Sequence, residues 1–120
     1  MRLEGNFYNI NQIETVENNS YVVKATLLPN HKIYEGHFPS QPVVPGVCTL
    51  TIIRECIGKI LSREVCFKRI KECKYLSALI PEKEIGIVIA ITLTDENKIM
   101  ANVERADNQQ KVLKLKAEII

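Results

Sequence analysis

The sequence has no tryptophan, only two histidines, and seven phenylalanines and tyrosines in 120 residues. Its charges nearly cancel, leaving a formal net charge of +2. That is too little for a phosphate-binding footprint, and no aromatic platform is interleaved with the basic residues, so nucleic acid is excluded as the expected partner. Apolar runs are short as well: Val43–Val47, Ile52–Ile53 and Ile85–Ile91 fall well below the ~20 residues a membrane-spanning helix requires. The four cysteines, Cys48, Cys56, Cys66 and Cys73, include no C-x-x-C pair and no closely spaced histidine. Free, mostly buried thiols are expected, with no metal and no cofactor. The segment Met1–Asn6 carries an acidic residue and no apolar stretch, so it does not read as a secretory signal, and cytoplasmic residence is the expectation.

What is present suits one globular domain over residues 1–120, with 46% hydrophobic and 25% charged residues. Phe7 to Val16 alternates loosely and predicts a first strand, ended by Glu17-Asn18-Asn19-Ser20. In Tyr21–Leu28, Tyr21, Val23, Ala25 and Leu27 share one face, which predicts a second. Four of the five prolines then fall between Pro29 and Pro45, so His31–Pro45 is expected to be an irregular, stiff loop. Gly46 opens a helix through Leu61, with Val47, Leu50, Ile53, Ile57 and Ile60 at helical spacing. Cys48, Ile52 and Cys56 widen its apolar face, leaving a narrow polar stripe of Thr51, Arg54, Glu55 and Gly58. Such a helix must be enclosed.

Beyond it, Phe67–Leu76 has the mixed polarity of an edge strand, and Ile85, Ile87, Ile89, Ile91 and Leu93 alternate strictly. Asp95-Glu96-Asn97-Lys98 and Asp107-Asn108-Gln109-Gln110 supply turns before Ile99–Ala106 and Leu113–Ile119. These segments suggest an antiparallel meander. With no second crossover helix, the layout is α+β.

The most distinctive stretch is Gly36-His37-Phe38-Pro39-Ser40-Gln41-Pro42-Val43-Val44-Pro45-Gly46-Val47. It resembles the signature of the 3-hydroxyacyl-(acyl carrier protein) dehydratases, which carry Gly-His-Phe-Pro followed by Pro-Gly-Val at the start of a central helix. The later Tyr75-Leu76-Ser77 and Ile80-Pro81 also look like that family's layout. The resemblance implies a hotdog fold, an antiparallel sheet wrapped around one long helix. It also implies a homodimer or higher oligomer with sites between protomers, and an acyl carrier protein or other acyl thioester as partner.

Dehydration of a 3-hydroxyacyl thioester needs a base at the α-carbon, a donor to the thioester carbonyl and an acid for the departing hydroxyl. His37 suits the first task, since an ordinary imidazole with pKa ~6.5 is largely neutral at physiological pH. By the resemblance, the Gly46 amide is the carbonyl donor at the positive end of the helix dipole, and Phe38, Pro45 and Val47 are expected against the substrate.

Thr51 departs from the pattern. The family usually carries an acidic residue five positions after the motif glycine, and a threonine cannot serve as a carboxylic acid. Glu55, one turn further on the same stripe, is one substitute; His37 acting alone, with Thr51 orienting substrate or water, is another. The remaining alternatives are an acyl-thioester hydrolase and a non-catalytic subunit that binds acyl thioesters. Glu55 reads equally well as an interface ion pair or solvated contact, His31 as a loop residue, and Cys48 and Cys56 as small core residues. Lys68, Arg69, Lys71 and Lys74 form a cluster suited to an acidic carrier protein or to a solvated strand edge.

Overall fold

The computed structural model describes residues 2–35 and 43–120. Strands β1 (Tyr8–Glu17) and β2 (Ser20–Leu27) precede helix α1 (Gly46–Leu61), which is followed by β3 (Phe67–Tyr75), β4 (Ile85–Leu93), β5 (Lys98–Arg105) and β6 (Lys111–Ile119). Short 3-10 turns occupy Lys32–Tyr34 and Asp95–Asn97. The strands form one antiparallel sheet in the order β1-β2-β4-β5-β6-β3. This is the hotdog arrangement of a sheet against one long helix.

Alternation fixes which face of the sheet is buried. Ile85, Ile87, Ile89 and Ile91 of β4 are buried, whereas Gly86 and Ala90 between them are exposed. The register sets Val23 opposite Ile89 and Ala25 opposite Ile87, then Ile89 opposite Val103 and Ile91 opposite Ala101. A slip of one residue would turn this whole apolar row to solvent. On the other side of the core lie Cys48, Ile52, Ile53, Cys56 and Ile57 of α1, all at most 1% exposed. Each isoleucine so enclosed contributes roughly 1.5–3 kcal/mol relative to exposure.

The turns fall where the polar signals stand. Asn19, Asn97 and Gln109 take positive φ of 64°, 61° and 61°, a conformation asparagine tolerates better than most residues. Helix α1 ends at Ser62, whose left-handed backbone (φ 57°) aims its amide at the Gly58 carbonyl. The Arg63 amide reaches the same oxygen at 3.1 Å. A Cβ on Gly58 would lie 2.9 Å from the Arg63 carbonyl oxygen, so glycine allows this tight reversal.

Two sequence expectations need correction. The strands after the helix are not one continuous meander: β4, β5 and β6 are, but β3 pairs with β6 at the far edge while β4 joins β2. Of the cysteines, Cys48 and Cys56 are buried, but Cys66 is exposed and Cys73 only partly covered. Cys66 follows the helix, and its backbone exchanges hydrogen bonds with Ile120 while its side chain faces outward.

Just before β1, Leu3, which gave no sequence signal, is 2% exposed, and Phe7, expected at the start of the first strand, is fully buried. No helix among the described residues is long and apolar enough to cross a membrane.

Candidate functional site

The site is built around the head of α1. Pro45 occupies the N-cap position with extended backbone (φ −61°, ψ 141°) and offers no capping side chain, and no acidic residue lies in the first turn. The Pro45 carbonyl accepts from Cys48 N at 2.9 Å and Thr49 N at 3.3 Å, while Gly46 N and Val47 N have no hydrogen-bond partner among the described residues. Two amides unpartnered among the described residues, at the positive end of a sixteen-residue helix, favour an acceptor carrying negative charge.

Neighbouring backbone holds this helix start in place. Val44 N donates to the Leu79 carbonyl at 2.8 Å, tying the approach to α1 onto the segment after β3. Tyr75, the last residue of β3, reaches across to Gly46: a Cβ there would lie 2.7 Å from both the hydroxyl oxygen and Cζ of the ring. Glycine is needed for that close approach. Burial, and then the adjacent Cys73 thiol, push the Tyr75 phenol up to about 12, so it is a hydrogen-bond donor at neutral pH.

A cavity of about 320 Å³ opens beside this contact, lined by Gly46, Thr49, Tyr75 and apolar residues that include Val44, Leu79 and Val112. Its size and mixed lining suit a small-molecule site. A slightly larger cleft of about 340 Å³ lies along the distal half of the helix, among Arg2, Glu4, Arg54, Glu55, Lys59 and Arg63. Its carboxylates are already engaged, Glu4 by Lys59 at 3.2 Å and Glu55 by the Leu3 and Glu4 amides, and it lies away from the helix head. The chemistry therefore points to the first.

The two helix candidates for the missing acid have different surroundings. The Thr51 hydroxyl donates to the Val47 carbonyl at 2.8 Å, one turn back toward the helix head. Glu55, whose side chain is 10% exposed, accepts from Leu3 N at 2.8 Å, Glu4 N at 3.0 Å and the Tyr8 hydroxyl at 2.9 Å. Burial raises the Tyr8 phenol, with Cys56 and the Glu55 charge adding to the effect, so it remains protonated and donating. Arg54 approaches the same carboxylate only to 4.0 Å. Both Glu55 oxygens are thus engaged by the segment before β1.

Of the other expected site residues, Pro45 is buried beneath the helix start and Val47 is 60% exposed beside it. His37 and Phe38 lie outside the described residues. His31 caps the 3-10 turn, its Nδ1 accepting from Ile33 N at 3.0 Å, and its ring stands edge-on to Phe7 at 5.3 Å, which makes it a structural loop residue. Cys48 and Cys56 sit in the core, and burial raises both thiols, Cys56 to about 12, so neither is poised as a nucleophile.

Sequence reasoning missed Tyr75 as a neighbour of Gly46, and missed Thr49 as a cavity residue. No local pattern brings the end of β3 to the head of α1. Only Tyr75's place in the family-like Tyr-Leu-Ser segment hinted at it.

Comparison with known proteins agrees with this geometry. The model of the ApeI-like family, described as ApeI dehydratase, matches residues 12–115. The 3-hydroxyacyl-(acyl-carrier-protein) dehydratase FabZ of Koribacter versatilis is 24% identical over 70 residues; the match covers 52% of this chain and 45% of that protein, less than half its length. Among solved structures, the dehydratase heterocomplex ApeI:P from Xenorhabdus doucetiae is similar with a TM-score of 0.77 at 17% identity, covering 92% of this chain and 95% of that one. A hypothetical thioesterase from Streptococcus pneumoniae, solved with coenzyme A, is similar with a TM-score of 0.63 at 13% identity, covering 92% and 83%. These structural likenesses establish the hotdog fold, which dehydratases and thioesterases share. The family match spans the Gly36–Val47 motif, the helix, strands β2 to β5 in full and more than half of β1 and β6, and on it the chain belongs to the ApeI-like dehydratase family.

Proposed function

We propose that the protein removes water from 3-hydroxyacyl groups held as thioesters on acyl carrier protein, giving trans-2-enoyl thioesters for acyl-chain biosynthesis. The observation that carries this reading is the Gly46 amide at the head of α1, without a partner among the described residues and opening on a cavity at the Pro-Gly-Val end of the motif. In the reaction His37 takes the proton from the α-carbon, and the electron pair moves onto the thioester oxygen, where Gly46 N and the helix dipole stabilise the charge. The carbonyl then re-forms, the α–β double bond closes, and the C–O bond to the β-hydroxyl breaks. His37 returns its proton to the leaving hydroxyl, so water departs and no external oxidant or reductant is needed.

In this scheme His37 serves as both base and acid. Glu55 is an anchor for the segment before β1, because its oxygens already accept three hydrogen bonds. Thr51 shapes the helix beside the site, with its only hydroxyl hydrogen given to Val47. Pro45, Val47 and Phe38 border the acyl thioester.

The same reading makes the protein a cytoplasmic homodimer with sites between protomers. Supporting this, β3 is a sheet edge that carries the 44% exposed Ile70 and faces no further strand among the described residues. Lys68, Arg69, Lys71 and Lys74 on β3 are offered to the acidic carrier protein. The lack of a free carboxyl group on the helix favours a second reading, in which a different hotdog subunit supplies the acid; the Xenorhabdus relative is itself a heterocomplex.

Mass spectrometry of a 3-hydroxyacyl carrier-protein thioester incubated with the purified protein tests the proposal. Loss of water from an intact thioester is expected. Loss of the whole acyl group would instead mark a hydrolase, and an unchanged thioester a binding subunit that needs another chain.

A further inference from the structure

We infer that the Tyr75 hydroxyl is a second donor to the substrate's thioester carbonyl, acting beside the Gly46 amide in the cavity at the head of α1. This rests on the acyl-thioester reading of the site. It adds a catalytic residue that comes from β3 rather than from the motif.

The first ground is position. The space a side chain on Gly46 would fill is taken by the hydroxyl end of the Tyr75 ring, with Oη and Cζ each 2.7 Å from the Cβ position and Cε1 2.8 Å away. A carbonyl oxygen bonded to Gly46 N therefore lies close to the phenol. That oxygen has two lone pairs, and one amide fills only one of them.

The second ground is that the phenol is held only by a weak partner, the Cys73 thiol, which a thioester oxygen can displace. Burial together with that thiol keeps the hydroxyl protonated. Tyr75 is also 54% exposed, so the ring can adjust to an entering thioester without disturbing the core.

The third ground is independent of both. Thr49, 5% exposed, lines the same cavity, and its hydroxyl has no hydrogen-bond partner among the described residues. That hydroxyl is not shut away from solvent, since the buried side-chain polar atom left without a partner among the described residues is the Tyr34 hydroxyl. The Thr49 hydroxyl is thus open to a polar ligand atom entering the cavity. Gly46, Thr49, Tyr75 and Ser77 set polar groups among the apolar lining, a mixture that suits a thioester head with an acyl tail. As the enolate forms, charge grows on the oxygen that Tyr75 and Gly46 address, so the phenol's bond strengthens in the transition state.

Tyr75→Phe keeps the ring and deletes the donor. Two measurements decide the matter: turnover of a 3-hydroxyacyl carrier-protein thioester, and the isotope-edited infrared carbonyl stretch of bound butyryl-pantetheine, an unreactive thioester. We expect kcat to fall about a hundredfold with KM little changed and the melting temperature retained, and the carbonyl band to move to higher wavenumber than in the unsubstituted protein. Unchanged kcat with an unchanged band overturns the Tyr75 assignment and leaves dehydration standing. If the unsubstituted protein forms no enoyl product, the dehydration reading fails instead, and the carbonyl band still decides whether Tyr75 touches the thioester.

Discussion

The Tyr8 hydroxyl donates to Glu55 Oε1 at 2.9 Å, joining the first residue of β1 to the third turn of α1. Leu3 N and Glu4 N complete the same carboxylate's coordination, and Lys59 holds Glu4 from one turn further along the helix. A polar residue within a greasy helix here serves attachment: it lets the chain before β1 pack Leu3 and Phe7 into the core.

Glu55→Gln should therefore lower stability and leave chemistry intact. A glutamine presents an NH₂ group to donors that need an acceptor, and a mismatch of this kind costs about 1–3 kcal/mol. Thermal unfolding should show a midpoint lower by several degrees, with turnover per folded molecule unchanged. A large loss of turnover in a stably folded Glu55→Gln variant would restore Glu55 as the missing acid.

Gly46→Ala should behave in the opposite way. The added methyl collides only with the far end of the Tyr75 side chain, which is half-exposed and can swing aside, so stability should change by less than about 1 kcal/mol. Turnover should fall because the phenol is displaced. In a Tyr75→Phe background the same substitution should cost proportionally less, and kinetics on the double-mutant cycle checks that coupling.

The fold was legible largely because its periodicities are strict. Ile85 to Leu93 and Leu113 to Ile119 could only be half-buried strands, and Gly46 to Leu61 only an enclosed helix; all three formed as expected. The pairing of β3 with β6 was not legible, because alternation says which face is buried and nothing about which strand lies alongside. The role of Leu3 was hidden for a related reason: one apolar residue among polar neighbours carries no period. Gly46 was legible from the motif and the helix start, whereas Tyr75 beside it depends on a contact between residues 29 positions apart. Thr51 was legible as a departure from the family pattern, but its bond to Val47 was not.

Thr51→Ala removes a hydroxyl already given to the backbone, so it should reduce kcat less than tenfold and change stability by about 1 kcal/mol or less. Steady-state kinetics alongside thermal unfolding checks both halves. A loss of a thousandfold would show that the hydroxyl takes part in proton transfer.

Ile70 lies opposite Ala117 at the β3 edge and is 44% exposed in the single chain. If a second copy covers that edge, Ile70→Asp should shift sedimentation from dimer toward monomer and lower activity in parallel, since each site is shared. A monomeric unsubstituted protein, active as such, would contradict the shared site.

The most direct test of the account replaces His37 by Ala and follows conversion of a 3-hydroxyacyl carrier-protein thioester to its enoyl product. The scheme gives this imidazole both proton transfers, so the variant should fold normally and form no enoyl product above background. Turnover equal to that of the unsubstituted protein would contradict it.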